Sequence, residues 1–420
     1  MNEALHVSSI NQEKTQVHNR ALVLSLLRQE GVCSRATLAR LSGLKQATIT
    51  NIAGELLESG AILETGLISG EKGRRSIGVT LNDEKYKVLG VRMTRKAFFV
   101  SLVGLSGKLY SVQEYGIGMR EGVRPVISRI RTAIQAVIRE NPRTELLAAC
   151  VAMPGPYRED LDRLLFVTEL EGWQNFPLRA ALSEGLGMPL YVLNDANASA
   201  YAQLWYRCRE PGVQNMIYIL AGQGIGCGMI SDGKLVIGQR GIAGEFGHNS
   251  IKYDGPQCEC GNRGCLEKYC SMTALREGIA QLLRAGKPSL LTLENLSGRA
   301  IAAAIRSGDP VASESYRQIC DLLATGIVSL VNQLNPGLIV IGDELAELCP
   351  DMLLDIVKQK IQRSVNPLIY SDLSIEMNHL PESPSLLGAG AYAVQQLLSN
   401  PTTLMQVPEP CGELLQAGAV

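Results

Sequence analysis

A chain of 420 residues exceeds one ordinary domain and predicts two or three. Hydrophobic residues at 46% and charged residues at 19% give an ordinary globular balance, which excludes global disorder. Forty Lys and Arg against forty-one Asp and Glu leave a net charge of −1, so any nucleic-acid contact must come from a local basic patch.

Residues 1–15 are polar and aperiodic, and a loose arm is expected there. No basic segment followed by an apolar one opens the sequence, so no secretory leader is expected and the protein is read as cytoplasmic. Helical spacing then begins, with Val17, Ala21, Leu24 and Leu27 on one face and Gly31 at the end. Ser34 caps a short helix carrying Leu38 and Leu41, and Ser42-Gly43-Leu44 makes a tight turn. A third helix runs from Gln46 with Ile49, Ile52, Leu56 and Leu57 on one face and Gly60 at its end. AILET (61–65) and RSIGVTL (75–81) read as two strands around a Gly-rich tip. Three helices and a hairpin over residues 16–82 predict a winged helix-turn-helix.

Its chemistry suits DNA. Lys45, Gln46, Thr48, Thr50 and Asn51 form the exposed face of the third helix, polar groups able to reach base edges, with Arg35 opening the second helix. Lys72, Arg74 and Arg75 at the hairpin suit phosphates or a minor groove. Over residues 12–81, nine Lys and Arg oppose six Glu, a surplus of three. So modest a surplus fits a protein that binds a palindromic operator as a dimer and doubles its contacts.

From Lys87 the pattern turns α/β. KVLGVRM (87–93) and AFFVSLVG (97–104) read as strands, followed by a turn at Ser106-Gly107-Lys108 and a helix over 123–139. LLAACVAMPG (146–155) is a buried strand, and LYVLND (190–195) leads into the helix ANASAYAQLWYR. A second cycle comprises NMIYIL (215–220), the loop AGQGIG, CGMIS (227–231) and a turn at Asp232-Gly233-Lys234-Leu235. The repetition of SGKL (106–109) as DGKL (232–235) predicts a duplicated lobe. Helices fill 272–333, GLIVIG (337–342) is a strand, and LLGAGAYAVQQLL (386–398) closes a core spanning 83–398. LLATGIVSLV (322–331) is broken by Thr, Gly and Ser, and with no run of 18 apolar residues a transmembrane helix is excluded. Residues 399–420, with Pro401, Pro408, Pro410 and Gly412, are expected to form a frayed tail.

Seven of the eleven cysteines are scattered, while Cys258, Cys260, Cys265 and Cys270 crowd into thirteen residues. An odd total argues against a disulfide framework and for metal. Cys258 and Cys260 can share one ion across a tight loop, Cys265 returns five residues later, and His248 supplies a fourth ligand. One imidazole and three thiolates make a closed tetrahedral Zn²⁺ shell, the structural kind, at 248–265. Cys270 is a possible substitute, but it lies on what reads as the next helix.

Gly244-Glu245-Phe246-Gly247-His248, joined to Cys258-x-Cys260-Gly261-x-x-Gly264-Cys265-x-Glu267, resembles the signature of the ROK family of repressors, open reading frames and sugar kinases. The likeness covers roughly 85–398. With a winged helix in front, the chain is similar to the family's xylose-, glucose- or N-acetylglucosamine-responsive repressors. The resemblance implies an actin/hexokinase-like core of two α/β lobes, a sugar in the cleft, and a homodimer or homotetramer. Asn194-Asp195-Ala196-Asn197 matches the segment whose Asp is the general base in the kinases. Glu245, His248 and Glu267 match sugar-holding positions, and Gly155 a loop beside the sugar. Asp195 has an alternative use as the N-cap of its helix.

The departures point away from catalysis. Where the resemblance implies Asp-x-Gly-Gly-Thr for Mg²⁺-ATP, this chain has Arg92, Thr94 and Arg95, so side chains occupy phosphate space and the metal's carboxylate is gone. Gln223 stands for the kinases' Thr in Gly222-Gln223-Gly224-Ile225-Gly226, and Asp343-Glu344 follows Gly342 where Gly-Gly is usual. The expected function is a sugar-responsive DNA-binding transcriptional regulator, not an enzyme, with a monosaccharide or sugar phosphate as effector. A sugar kinase and a repressor controlled by a partner protein are the alternatives.

Overall fold

The computed structural model describes residues 12–69, 75–118, 121–165 and 172–405. The N-terminal region comprises α1 (Gln12–Glu30), β1 (Cys33–Ser34), α2 (Arg35–Ser42), α3 (Gln46–Glu58), β2 (Ile62–Ser69) and β3 (Arg75–Leu81). Ser34 caps α2, its hydroxyl accepting from the Thr37 N–H at 3.1 Å, and Gly43 ends it with φ +70°. The strands form an antiparallel sheet in the order β1-β3-β2. Val23, Leu24, Leu27, Leu38, Ile49, Ile52 and Leu56 are buried together. Helix α1 begins at Gln12, so residues 12–15 of the expected arm are helical. Leu41, expected beside Leu38, is instead exposed.

Two lobes follow, each built on a five-stranded sheet. The first holds β4 (Tyr86–Met93), β5 (Ala97–Gly104), β6 (Leu109–Gly116), α4 (Val123–Glu140), β7 (Glu145–Met153), the short pair β8 (Tyr157–Arg158) and β9 (Arg163–Leu164), α5 (Leu178–Ser183), β10 (Leu190–Asn194) and α6 (Asp195–Tyr206). The second holds β11 (Met216–Ala221), β12 (Ile225–Ser231), β13 (Lys234–Leu235), α7 (Glu267–Cys270), α8 (Met272–Arg284), α9 (Gly298–Arg306), α10 (Pro310–Leu334), β14 (Leu338–Gly342), α11 (Pro350–Ser364), α12 (Pro367–Ser371), β15 (Ser374–Met377) and α13 (Pro384–Ser399). The sheet orders are β10-β7-β4-β5-β6 and β13-β12-β11-β14-β15. In each, three consecutive antiparallel strands are extended by two parallel ones. The SGKL and DGKL turns occupy equivalent places, between second and third strands, with Gly107 and Gly233 at φ +89° and +70°. Strand β6 escapes the sequence pattern because its edge position leaves much of Leu109–Gly116 exposed and polar.

Helix α13 lies on β4 and β7, helix α6 lies on β11 and β12, and the two helices pack on each other. Small residues permit this. A Cβ on Gly388 would lie 1.7 Å from the Ala198 carbonyl oxygen, and one on Gly228 would lie 2.2 Å from that of Ala196. The expected tail is ordered through 405: Ser399 ends α13, and Leu404, in the turn Thr403–Met405, is fully buried in the same apolar cluster as the N-terminal helices. Residues 406–420 of that tail lie outside the described residues, as do 1–11 of the arm. Among the described residues no helix is long and apolar enough to cross a membrane.

Candidate functional site

A cleft of about 230 Å³ opens between the lobes, and every sequence-predicted sugar-site residue lines it. Asn194 ends β10 and caps α6, its Oδ1 accepting from the N–H groups of Ala196 and Asn197 at 2.9 and 3.2 Å. Its Nδ2 donates to the Gly155 carbonyl at 3.1 Å, where φ +86° makes glycine the fitting residue. The cap is therefore Asn194, not Asp195. The Asp195 carboxylate accepts from the Ala196 N–H at 2.9 Å and is pushed up to about 7, by burial first and by Asp343 second, against the pull of Arg92, the Ala196 N–H and Arg95.

Glu245 and Glu267 come from the second lobe. Burial, then Asp195 and Glu267, push Glu245 up to about 7. Glu267 opens α7, and its Oε2 accepts from the Ile225 N–H at 2.9 Å. Gly224 makes room, since a Cβ there would stand 2.3 Å from that oxygen. A backbone donor of the loop that resembles a phosphate cradle is thus occupied by a carboxylate.

His248 joins the cleft to the cysteine loop. Its Nε2 is 3.8 Å from Glu245 Oε2, and its Nδ1 is 3.5 Å from Cys258 Sγ. Burial lowers its pKa, which keeps the ring neutral as a metal ligand requires. Cys260 and Cys265 place their sulfurs 3.6 Å apart, and the ligand atoms of His248, Cys258, Cys260 and Cys265 lie within 4.8 Å of one another. A tetrahedron of Zn–S bonds of about 2.3 Å has edges of about 3.8 Å, so the four groups fit one small cation. Gly264, at φ +67°, lets the loop fold: a Cβ there would meet the Lys252 carbonyl oxygen at 1.8 Å. Cys270 stands apart, its buried thiol donating to the Leu266 carbonyl at 3.3 Å.

The departures from the kinase pattern find one another. Arg92 Nη2 is 3.5 Å from Asp343 Oδ2, and its Nη1 donates to Ser383 Oγ at 2.8 Å. Arg276 of α8 bonds Gln223 Oε1 and Glu344 Oε1, both at 2.8 Å, while the Gln223 amide donates to the other Glu344 oxygen. Arg276 and Ser383 carry no local signal in the sequence; only the fold brings them here.

In the N-terminal region, Lys45, Gln46, Thr50 and Asn51 are exposed and Thr48 is half-buried. The Thr50 hydroxyl donates back to the Gln46 carbonyl at 2.9 Å. Arg35 turns to Glu64, 2.8 Å away, and so is engaged at the seam between α2 and the hairpin. Arg75 is exposed at the start of β3, while Lys72 and Arg74 lie outside the described residues.

The model of the ROK family matches residues 88–396, nearly three-quarters of the sequence. The chain belongs to the ROK family. It is 29% identical over 391 residues to the xylose repressor of Caldicellulosiruptor bescii, covering 91% of this chain and 97% of that protein. A solved ROK family transcriptional regulator, a homologue of the Escherichia coli MLC protein, matches with a TM-score of 0.79 and 28% identity over 94% of this chain and 99% of its own. A ROK glucokinase from Streptomyces griseus, solved with glucose and AMPPNP, matches 74% of this chain and 99% of its own at a TM-score of 0.65 and 24% identity. That last likeness is one of fold, and it gives the two lobes their actin/hexokinase-like class.

Proposed function

We propose that this ROK chain is a sugar-responsive DNA-binding transcriptional regulator, a repressor whose kinase-like cleft senses a sugar instead of phosphorylating it. The observation that carries this reading is the division of the cleft. Its sugar half retains Asn194, Asp195, Glu245, His248 and Glu267, while its nucleotide half is spanned by Arg92–Asp343 and by Arg276 with Gln223 and Glu344. Carboxylates, an amide and an imidazole can hold several hydroxyls at fixed angles. A triphosphate would have to displace Arg92 from its partners and face Asp343 and Glu344. End-to-end similarity to a protein named xylose repressor supports the same assignment.

In this reading the α3 face and the wing, with Arg75, Lys72 and Arg74, contact DNA, and Arg35 acts by bracing α2 through Glu64. Two or four copies place winged helices on the half-sites of a palindrome, in the cytoplasm where chromosomal operators are. His248, Cys258, Cys260 and Cys265 would hold a structural Zn²⁺, which fastens the loop that carries His248 into the cleft. A monosaccharide or its phosphate hydrogen-bonded to Asp195 and Glu267 would favour one placement of the lobes and thereby one operator affinity.

The test is a thermal-shift screen with D-xylose, D-glucose, N-acetyl-D-glucosamine and its 6-phosphate, followed by titration of the binding compound with and without selected duplex DNA. Reciprocity requires equal shifts of the two affinities. Identical sugar affinities in both titrations would remove the sugar as the signal.

A further inference from the structure

Helix α6 starts in the cleft and ends on the winged helix. Asp195 is its first residue. Twelve residues carry the helix about 18 Å, to Trp205 and Tyr206. There the Trp205 carbonyl, one of the last four that a helix leaves without an internal partner, accepts from Arg28 Nη1 at 3.2 Å. The Arg28 guanidinium carbon is also 4.2 Å from the centroid of the indole ring. Arg28 belongs to the last turn of α1. One side chain of the DNA-binding region thus caps the C-terminus of the helix whose N-terminus lies in the cleft. Cap, helix dipole and cation–π contact all favour the same position of the guanidinium.

The far end is held from its other side as well. The Trp205 indole is 5% exposed, and a Cβ on Gly107 would lie 2.6 Å from its Nε1. The Tyr206 hydroxyl donates to the Gly107 carbonyl at 2.8 Å. Along its length α6 is wedged between α13, through Gly388 against Ala198, and β12, through Gly228 against Ala196. Contacts that close do not shear gradually, so a displacement at Asn194–Asp195 travels along the helix as a rigid-body movement.

We propose that α6 is the strut through which occupancy of the cleft reaches the DNA-binding domain, and that Arg28 is the positioning residue that joins the two. This rests on sugar binding in the cleft and DNA binding by the winged helix. Arg28 sits at the end of α1, apart from the cleft lining and from the α3 face, and it fixes the winged helix to the end of α6.

The experiment uses the full chain, the four sugars of the screen and a duplex that the wild type selects from a random pool. The affinity of each ligand is measured with and without the other, in wild type, Arg28→Met and Lys85→Met. Methionine keeps an unbranched apolar stem and removes the guanidinium. Lys85 also ties the domains, donating to the Ser59 carbonyl at 2.8 Å, but away from α6. The expected result is a coupling factor in Arg28→Met within about twofold of one, with each ligand alone binding within about twofold of wild type. Lys85→Met should keep the wild-type factor. Retention of that factor in Arg28→Met, or its equal loss in Lys85→Met, overturns the strut while leaving sugar sensing intact. A wild type that binds none of the sugars, or in which sugar and DNA ignore each other, overturns sugar sensing and the strut together.

Discussion

Arg92 and Asp343 face each other across the cleft, guanidinium nitrogen 3.5 Å from carboxylate oxygen, and Asp343 has φ +81°. The first closes β4 of one lobe and the second follows β14 of the other. A left-handed backbone is natural for the glycine the kinases usually have there, and strained for aspartate. Both departures from the kinase pattern are therefore halves of one interaction between lobes.

Two outcomes are expected at this pair. Asp343→Gly and Asp343→Ala both lose the ion pair, but glycine relieves the backbone, so the alanine variant should be the less stable by about 1 kcal/mol in denaturant unfolding. Arg92→Asp should not produce ADP from Mg²⁺-ATP and sugar, because Gln223, Glu344 and Arg276 still fill the phosphate side. Sustained turnover in that variant would show the obstruction to be Arg92 alone.

Zinc should be found at about one ion per chain by elemental analysis, and Cys258→Ser, Cys260→Ser and Cys265→Ser should each lose it. A closed site contributes folding energy directly, so chelation should lower the melting temperature of the wild type. Cys270→Ser should keep its metal, since that thiol is bonded to the Leu266 carbonyl.

DNA contacts should separate by type. Arg75→Ala is expected to weaken binding to all sequences and to reduce the salt slope by about one, the signature of a phosphate contact. Gln46→Ala should instead alter base preference, with about 1–3 kcal/mol at the contacted pair. Point substitutions suit this test better than removal of residues 1–82, because Leu404 and α13 share an apolar core with the N-terminal helices and would be laid bare. Equal losses on every sequence in both variants would place Gln46 on phosphate.

The cleft carboxylates make stability depend on pH. Asp195 and Glu245 are raised to about 7, so the folded protein holds protons that the unfolded chain releases. Stability from these groups is fully present below their unfolded pKa of about 4 and is lost as pH rises through 7. Asp195→Asn should therefore melt a few degrees above wild type near pH 8, with the gap narrowing as pH falls from 7 to 5. A gap independent of pH would mean that the carboxyl titrates in its ordinary range. Asp195→Ala and Glu267→Ala should each weaken sugar binding roughly ten- to a hundredfold, from about 1–3 kcal/mol per unpaired group, and still bind DNA without sugar.

Much of this was legible in the sequence because it is local. Helix periodicity, the Ser34 cap, the Gly43 turn and the spacing of Cys258, Cys260 and Cys265 are written within a few residues, where backbone geometry alone constrains the outcome. The duplicated SGKL and DGKL turns announced two lobes because each repeats the same hairpin requirement for a left-handed glycine. Leu109–Gly116 and Ser374–Met377 were silent, since edge strands need little apolar alternation. The departures at Arg92, Gln223, Asp343 and Glu344 could be seen one by one, but not that they pair. Partners separated by more than two hundred residues, such as Arg92 and Ser383, 291 residues apart, meet only when two sheets close on α6 and α13. The same closure sets Arg28 of the first helix on Trp205, 177 residues away. Residue type and spacing determined which chemistry each segment could offer; tertiary packing decided which of those groups face one another, because charge pairing and capping depend on distances that no local pattern encodes.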